Sequence, residues 1–138
     1  MDEYKVAIVI PAFNEENTIA EVIQSVTEYG YVIVVNDASS DRTMQIAKDV
    51  GATVVNHQVN QGYDGALNSG FKKAVKLNCD AVITFDADGQ HVSDMLPIFN
   101  KQLRSGVDLV LGIRPTVQRF AESIFRVYTR NRFNWEDP

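Results

Sequence analysis

Apolar residues in this chain fall into short unbroken runs, and between the runs they recur at helical spacing. Val6-Ala-Ile-Val-Ile is a continuous apolar run ended by Pro11, the pattern of a strand buried on both faces. Thr18-Ile-Ala-Glu21 has the form of a capping box, and Ile19, Val22, Ile23 and Val26 then mark a helix that stops at Gly30. The cycle repeats. Tyr31–Val35 is a β-branched run, and Ser40 or Asp41 caps a helix carrying Met44, Ile46, Ala47 and Val50, with Gly51 after its end. Thr53–Val55 predicts a short third strand. A helix follows over about 64–76, with Leu67, Phe71, Ala74 and Val75 on one side. Ala81–Phe85 is a fourth strand. The next helix spans about 93–104 with Pro97 in its first turn, and Leu109–Leu111 is a fifth strand. Phe120, Ile124, Val127 and Tyr128 mark a last amphipathic helix.

Apolar strands alternating with amphipathic helices predict an α/β fold: a Rossmann-like, mainly parallel sheet with helices on both faces. In such sheets ligands bind outside the carboxyl ends of the strands. The informative segments are therefore Pro11–Glu15, Asn36–Asp41, Asn56–Gly62, Asp86–His91 and Gly112–Arg114.

Composition narrows this picture. The 138 residues suit one domain, and 45% hydrophobic with 22% charged residues is a globular balance. One cysteine, Cys79, excludes an internal disulfide framework, and two histidines beside it make a structural zinc site a poor fit. No run approaches the roughly 18 apolar residues of a membrane span, and the acidic start is unlike a signal peptide. The expected location is the cytoplasm. The net charge is −5, which argues against general nucleic-acid binding. The basic residues of 104–138 are all arginines. They read either as a solvated helix face or as a phosphate-facing surface, since arginine offers a bidentate fork to anions.

Several devices are absent. There is no GxGxxG after the first strand, no GxxxxGK[ST] and no GxSxG. The strongest local signal is Asp86-Ala-Asp88, two carboxylates one residue apart after a buried strand. Such like charges oppose each other unless a cation joins them, and carboxylate oxygens suit Mg²⁺ or Mn²⁺. The plainer alternative is a polar turn, because Asp and Gly favour turns. Asp37 either organises the turn before the second helix or accepts N–H groups of a nucleobase. Glu15 fits a first-turn acid near a helix dipole. His57 and His91 read as surface or supporting groups rather than bases, and Cys79 as a helix-end residue rather than a nucleophile.

Together Ile10-Pro-Ala-Phe-Asn-Glu15, Val34-Val-Asn-Asp-Ala-Ser-Ser-Asp41, Asn60-Gln-Gly-Tyr-Asp-Gly-Ala-Leu-Asn68 and Phe85-Asp-Ala-Asp-Gly-Gln-His91 resemble the family 2 glycosyltransferases of the GT-A fold. Asp86–His91 and Gly112–Arg114 are nearest the polyprenyl- and dolichyl-phosphate sugar transferase branch. The resemblance implies that Pro11, Ala12, Phe13 and Glu15 line a nucleotide pocket. It implies that Val35 and Asp37 meet the base, and that Ala87 lies near the sugar nucleotide. Asp86, Asp88 and Gln90 would hold Mg²⁺ or Mn²⁺, and Arg114 would meet a phosphate. Asp88 and Arg114 are the implied catalytic residues. Two departures stand out: the family usually has two acids at Asn36-Asp37 and a glycine at Ala38. Asp64 also stands where a small or basic residue is more usual.

The implied reaction is an inverting, metal-dependent transfer of a sugar from a nucleoside diphosphate to an acceptor. That acceptor is a polyprenyl phosphate or, alternatively, a saccharide hydroxyl in cell-surface polysaccharide synthesis. Relatives in the family are longer. Residues 1–138 are thus expected to form a single nucleotide-sugar-binding domain with 113–138 beginning the acceptor half, as a piece of a longer chain. Membrane association would come only from segments outside it. In the family a further strand separates the fourth and fifth. Without it the fifth lacks a neighbour, which dimerisation or local disorder would resolve. Two rivals remain: a haloacid-dehalogenase-like phosphatase with Asp86 as nucleophile, and a non-catalytic nucleotide-sugar-binding fragment.

Overall fold

The computed structural model describes residues 3–90 and 93–112. Four strands, β1 (Val6–Ala12), β2 (Tyr31–Asn36), β3 (Thr53–Asn56) and β4 (Ala81–Thr84), form one sheet in the order β3-β2-β1-β4. Every pairing is parallel. The helices are α1 (Ile19–Val26), α2 (Thr43–Asp49), α3 (Gly62–Lys76) and α4 (Leu96–Arg104). A 3₁₀ turn extends α1 over Thr27–Tyr29, and another, Ser93–Met95, precedes α4.

The unbroken apolar run of β1 follows from burial on both faces. Ile8 and Ile10 join Ile19, Ile23, Val34 and Leu96 in one core, under α1, α2 and α4. Ala7 and Val9 join Ile33, Val35, Leu67 and Ala74 in the other, under α3. Successive strand residues point to opposite faces, so each face needs its own apolar set.

On the second face the fit is close. A Cβ built on Gly70 of α3 would lie 2.3 Å from Val9 Cγ1 and 3.3 Å from Val35 Cγ2. Gly70 thus lets α3 approach the sheet backbone. Gly70→Val is expected to lower unfolding free energy by about 1–3 kcal/mol through overpacking, read by urea denaturation.

Several boundaries differ from the sequence expectation for physical reasons. Pro11 does not end β1, which runs through it to Ala12. The Ala12 carbonyl accepts from Asp37 N on the β2 side, and the Val9 carbonyl from Phe85 N on the β4 side. Pro11 shares the β4 side with Val9, beyond the last β1–β4 register pair, Val9↔Thr84, so its missing N–H breaks no ladder. Val75 is exposed rather than on the buried side of α3. Leu109–Leu111 is not a strand. A strand needs a ladder partner for its N–H and C=O groups, and among the described residues none pairs with this segment. Leu109 and Leu111 are exposed, and β4 forms that edge of the described sheet. The last predicted helix, with Phe120, Ile124, Val127 and Tyr128, lies outside the described residues.

The candidate nucleotide and metal site

The strand order reverses at β1: the chain steps from β1 to β2 to β3, then crosses through α3 to β4 on the other side. Ligands of open α/β sheets bind at such a reversal, beyond the carboxyl ends. The loops after β1, β2, β3 and β4 all emerge at that edge.

The first two loops are knitted together. Asn14 N donates to Ser39 Oγ at 2.9 Å, and Asn14 Oδ1 accepts from Ser40 N at 2.8 Å. Glu15 N donates to Thr43 Oγ1 at 2.8 Å and Glu16 N to Asp41 Oδ2 at 3.1 Å. Arg42 pairs with Glu16 at 3.1 Å. The N-cap position of α2 is Arg42 rather than Ser40 or Asp41, but Asp41, one residue earlier, accepts from Thr43 N at 2.9 Å and so still supports the start of the helix. Burial alone would raise the Asp41 carboxyl, but the Thr43 hydroxyl and the N–H groups of Thr43 and Glu16 outweigh it and lower the pKa. Pro11 is partly buried, Ala12 and Val35 are buried, and Phe13 stands half-exposed at the rim.

Ala38, where the resembled family has glycine, sits at φ +61°, in the left-handed region. A non-glycine residue there costs about 1–2 kcal/mol, partly offset by the greater unfolded-state entropy of glycine. Ala38→Gly is expected to stabilise the fold by up to about 1 kcal/mol, seen as a higher thermal midpoint.

Asp37 does not organise the start of α2. It caps α3. Its side chain is buried, with Oδ1 accepting from His57 Nδ1 at 2.7 Å and Gln61 N at 2.8 Å, and Oδ2 from Gly62 N at 2.9 Å. Asn60 Nδ2 donates to the Asp37 carbonyl at 3.2 Å. Burial pushes the carboxyl pKa up, but the His57 hydrogen bond and the two backbone N–H groups hold it below the ordinary value. His57 is itself buried, and its Nε2 meets Ser69 Oγ at 2.8 Å. It is therefore the supporting group anticipated, and not a surface one. Donation from Nδ1 fixes the ring's orientation. Neighbouring Asn36 is buried, with Nδ2 on Asn56 Oδ1 at 2.7 Å and Oδ1 unpartnered. An amide there avoids a second buried charge beside Asp37. An open polar depression of about 390 Å³, lined by Asn36, Ala38, Ser39, Arg42, Asn56 and His57, lies on the α2 side, away from the acidic pair.

Beyond β4, Asp86 is partly buried, Ala87 buried, and Asp88, Gly89 and Gln90 exposed. Asp88 Oδ1 accepts from Gln90 N at 2.9 Å, and Gly89 takes φ +74° to close this turn. Tyr63 in the first turn of α3 donates its hydroxyl to Asp86 Oδ1 at 3.1 Å. Burial of that hydroxyl and the Asp86 charge push the Tyr63 pKa up. The anticipated capping box is absent: Thr18 makes no side-chain cap. Its hydroxyl instead reaches the Ala87 carbonyl at 2.7 Å and Glu15 Oε2 at 3.1 Å, joining the β1 loop to the β4 loop.

Asp86, Ala87, Asp88 and Gln90 thus share one tip beside Glu15, while Asp37 anchors the opposite wall. Arg114 and His91 lie outside the described residues. Among the described residues no three His, Cys, Asp or Glu side chains converge as a metal cage. Two carboxylates on an exposed tip still fit Mg²⁺ or Mn²⁺, which keep waters and share substrate phosphate oxygens. Thr18, Tyr63, Ser69 and the burial of His57 were missed by sequence reasoning, since each acts across a long sequence separation. Cys79 is partly buried just past α3, and burial raises its thiol pKa, which disfavours the thiolate a nucleophile would need.

Known proteins bear on this arrangement. An uncharacterized protein of Methanocaldococcus jannaschii, MJ1222, is 41% identical over 80% of this chain and 46% of its own length. A UDP-N-acetylglucosamine–dolichyl-phosphate N-acetylglucosaminyltransferase of Methanococcus voltae is 31% identical over 83% of this chain and 53% of its own. The chain thus spans about half the length of these curated relatives. Glucosyl-3-phosphoglycerate synthase from Mycobacterium tuberculosis, solved with Mn²⁺, UDP-glucose and phosphoglyceric acid, superposes with a TM-score of 0.61 at 28% identity, over 75% of this chain and 40% of that one. The family model for glycosyl transferase family 2 matches residues 7–137, and the chain belongs to that family.

Proposed function

We propose that this chain is the nucleotide-sugar-binding part of an inverting glycosyltransferase whose acceptor is a polyprenyl phosphate. The observation that carries the reading is the acidic pair Asp86 and Asp88, held at the carboxyl end of β4 beside the point where strand order reverses. Relatives named as dolichyl-phosphate and undecaprenyl-phosphate sugar transferases support the acceptor class. A structural neighbour solved with Mn²⁺ and UDP-glucose supports the donor and the ion.

Asp86, Asp88 and Gln90 would hold Mg²⁺ or Mn²⁺, which supplies charge neutralisation for the leaving diphosphate. Phe13, Pro11, Ala12 and Glu15 line the base side, and Val35 and Asp37 set its position, with Ala87 under the sugar. Orientation of this kind contributes to rate because the reacting groups start aligned. An acceptor phosphate oxygen attacks the anomeric carbon from the face opposite the diphosphate. The glycosidic C–O bond breaks with its electron pair going to the diphosphate oxygen, which inverts the centre. A phosphate acceptor is already anionic at neutral pH and needs no general base. Arg114 would orient that phosphate. Residues 1–138 form one domain in this reading, with 113–138 opening the acceptor half, and the complete protein works at the cytoplasmic face of a membrane. Among the described residues no helix is long and apolar enough to cross a membrane.

Calorimetric titration with UDP and GDP, each with and without Mn²⁺, tests the donor half. Mn²⁺-dependent binding of a nucleoside diphosphate is expected. Binding that ignores the ion overturns the reading, and binding without transfer in the complete protein leaves a non-catalytic domain.

A further inference from the structure

Tyr63 is the second residue of α3, and the start of that helix is pinned to the sheet. Asp37 accepts from Gln61 N and Gly62 N immediately before it. Gly62 takes φ +76°, and a Cβ on Gly65 would lie 2.6 Å from Gln61 Cβ, so the first turn has little slack. From this base Tyr63 reaches across to Asp86 Oδ1 at 3.1 Å. The residue is 54% exposed and belongs to neither core, while its hydroxyl meets Asp86. The other parts of the tip are also held: Ala87 through its carbonyl by Thr18, and Asp88 by Gln90 N.

We propose that Tyr63 is a positioning residue that fixes the Asp86 carboxylate for a divalent cation and the diphosphate it carries. The inference rests on the metal–diphosphate reading above. A carboxylate that rotates freely loses that freedom when it ligates an ion, and one already held by a rigid donor loses less. The hydrogen bond to Oδ1 selects one orientation of Asp86 before the cation arrives. Because the same helical turn is anchored by Asp37, the walls on either side of the crevice are set by one rigid element.

The experiment uses Tyr63→Phe in the full chain, with Mn²⁺ and UDP as probes and free Mn²⁺ read by electron paramagnetic resonance. Mn²⁺ affinity in the presence of UDP is expected to fall about three- to tenfold, with the metal-free thermal midpoint unchanged. Unchanged or tighter Mn²⁺ binding overturns the proposal, the latter because the hydroxyl would then compete with the ion. A weaker affinity matched by a lower midpoint overturns it in favour of a purely structural tyrosine. Asp88→Asn serves as the reference. Full Mn²⁺–UDP binding in that variant removes the metal site itself and this inference with it. Loss in Asp88→Asn beside no change in Tyr63→Phe removes this inference alone.

Discussion

Asp88→Ala is expected to reduce sugar transfer by the complete protein about 10²–10³-fold, the scale for removing one strong electrostatic contact from a transition state. Fold stability should scarcely move. Asp88 is exposed, and its Oδ1 bond to Gln90 N closes only the local turn. The pairing of a large functional loss with an unchanged melting curve separates an ion-holding carboxylate from a turn former. Asp88→Asn keeps the turn geometry while removing the charge, so the two variants should behave alike in transfer. Near-normal transfer in Asp88→Asn would mean that the carboxylate serves the turn and that the acidic tip is not the ion's seat.

Asp37→Ala is expected to act in the opposite sense, on stability first. The substitution strips a buried acceptor from His57 Nδ1, Gln61 N and Gly62 N together. Breaking a buried, hydrogen-bonded pair by deleting one partner costs about 3–5 kcal/mol, a large share of a domain's usual 5–15. Urea denaturation should show the loss directly. The same contacts give an acid signature. The folded pKa of Asp37 lies below its unfolded value, so the stabilisation is fully present above the unfolded value of about 3.9. It drains away as pH falls through the lower folded value. Wild-type stability should therefore decline below about pH 4 more steeply than that of Asp37→Asn, whose side chain does not titrate there.

The strands and helices were legible because each face of the sheet demands an apolar set, and that demand is written locally in β1, β2, α1 and α3. The doubly covered parallel sheet followed from alternation alone. What failed locally was whatever depends on a distant partner. Leu109–Leu111 has the composition of a strand but no ladder partner among the described residues. Thr18 has the sequence of a cap, yet its hydroxyl finds a better acceptor 69 residues away. Asp37 was visible as a carboxylate at the sheet edge. That it spends three acceptor positions on His57 and the start of α3 was not, because those donors meet only after β3 has paired. The acidic pair was the reverse case: two neighbours on one tip are adjacent in the chain and in space. The phosphatase alternative needed the same DxDG signature, and family membership displaces it.

The unequal room on the two sides of β1 has an outcome for how this chain can vary. Deleting one residue within Val6–Ala12 would turn the strand over, driving isoleucines toward Gly70 and leaving the α1 side underfilled with alanine and valine. The close approach of Gly70 to Val9 and Val35 leaves little room there for larger side chains. Length changes are therefore far better tolerated in the exposed turn after α4, at 105–107, than anywhere in the central strand, and directed evolution should recover them there.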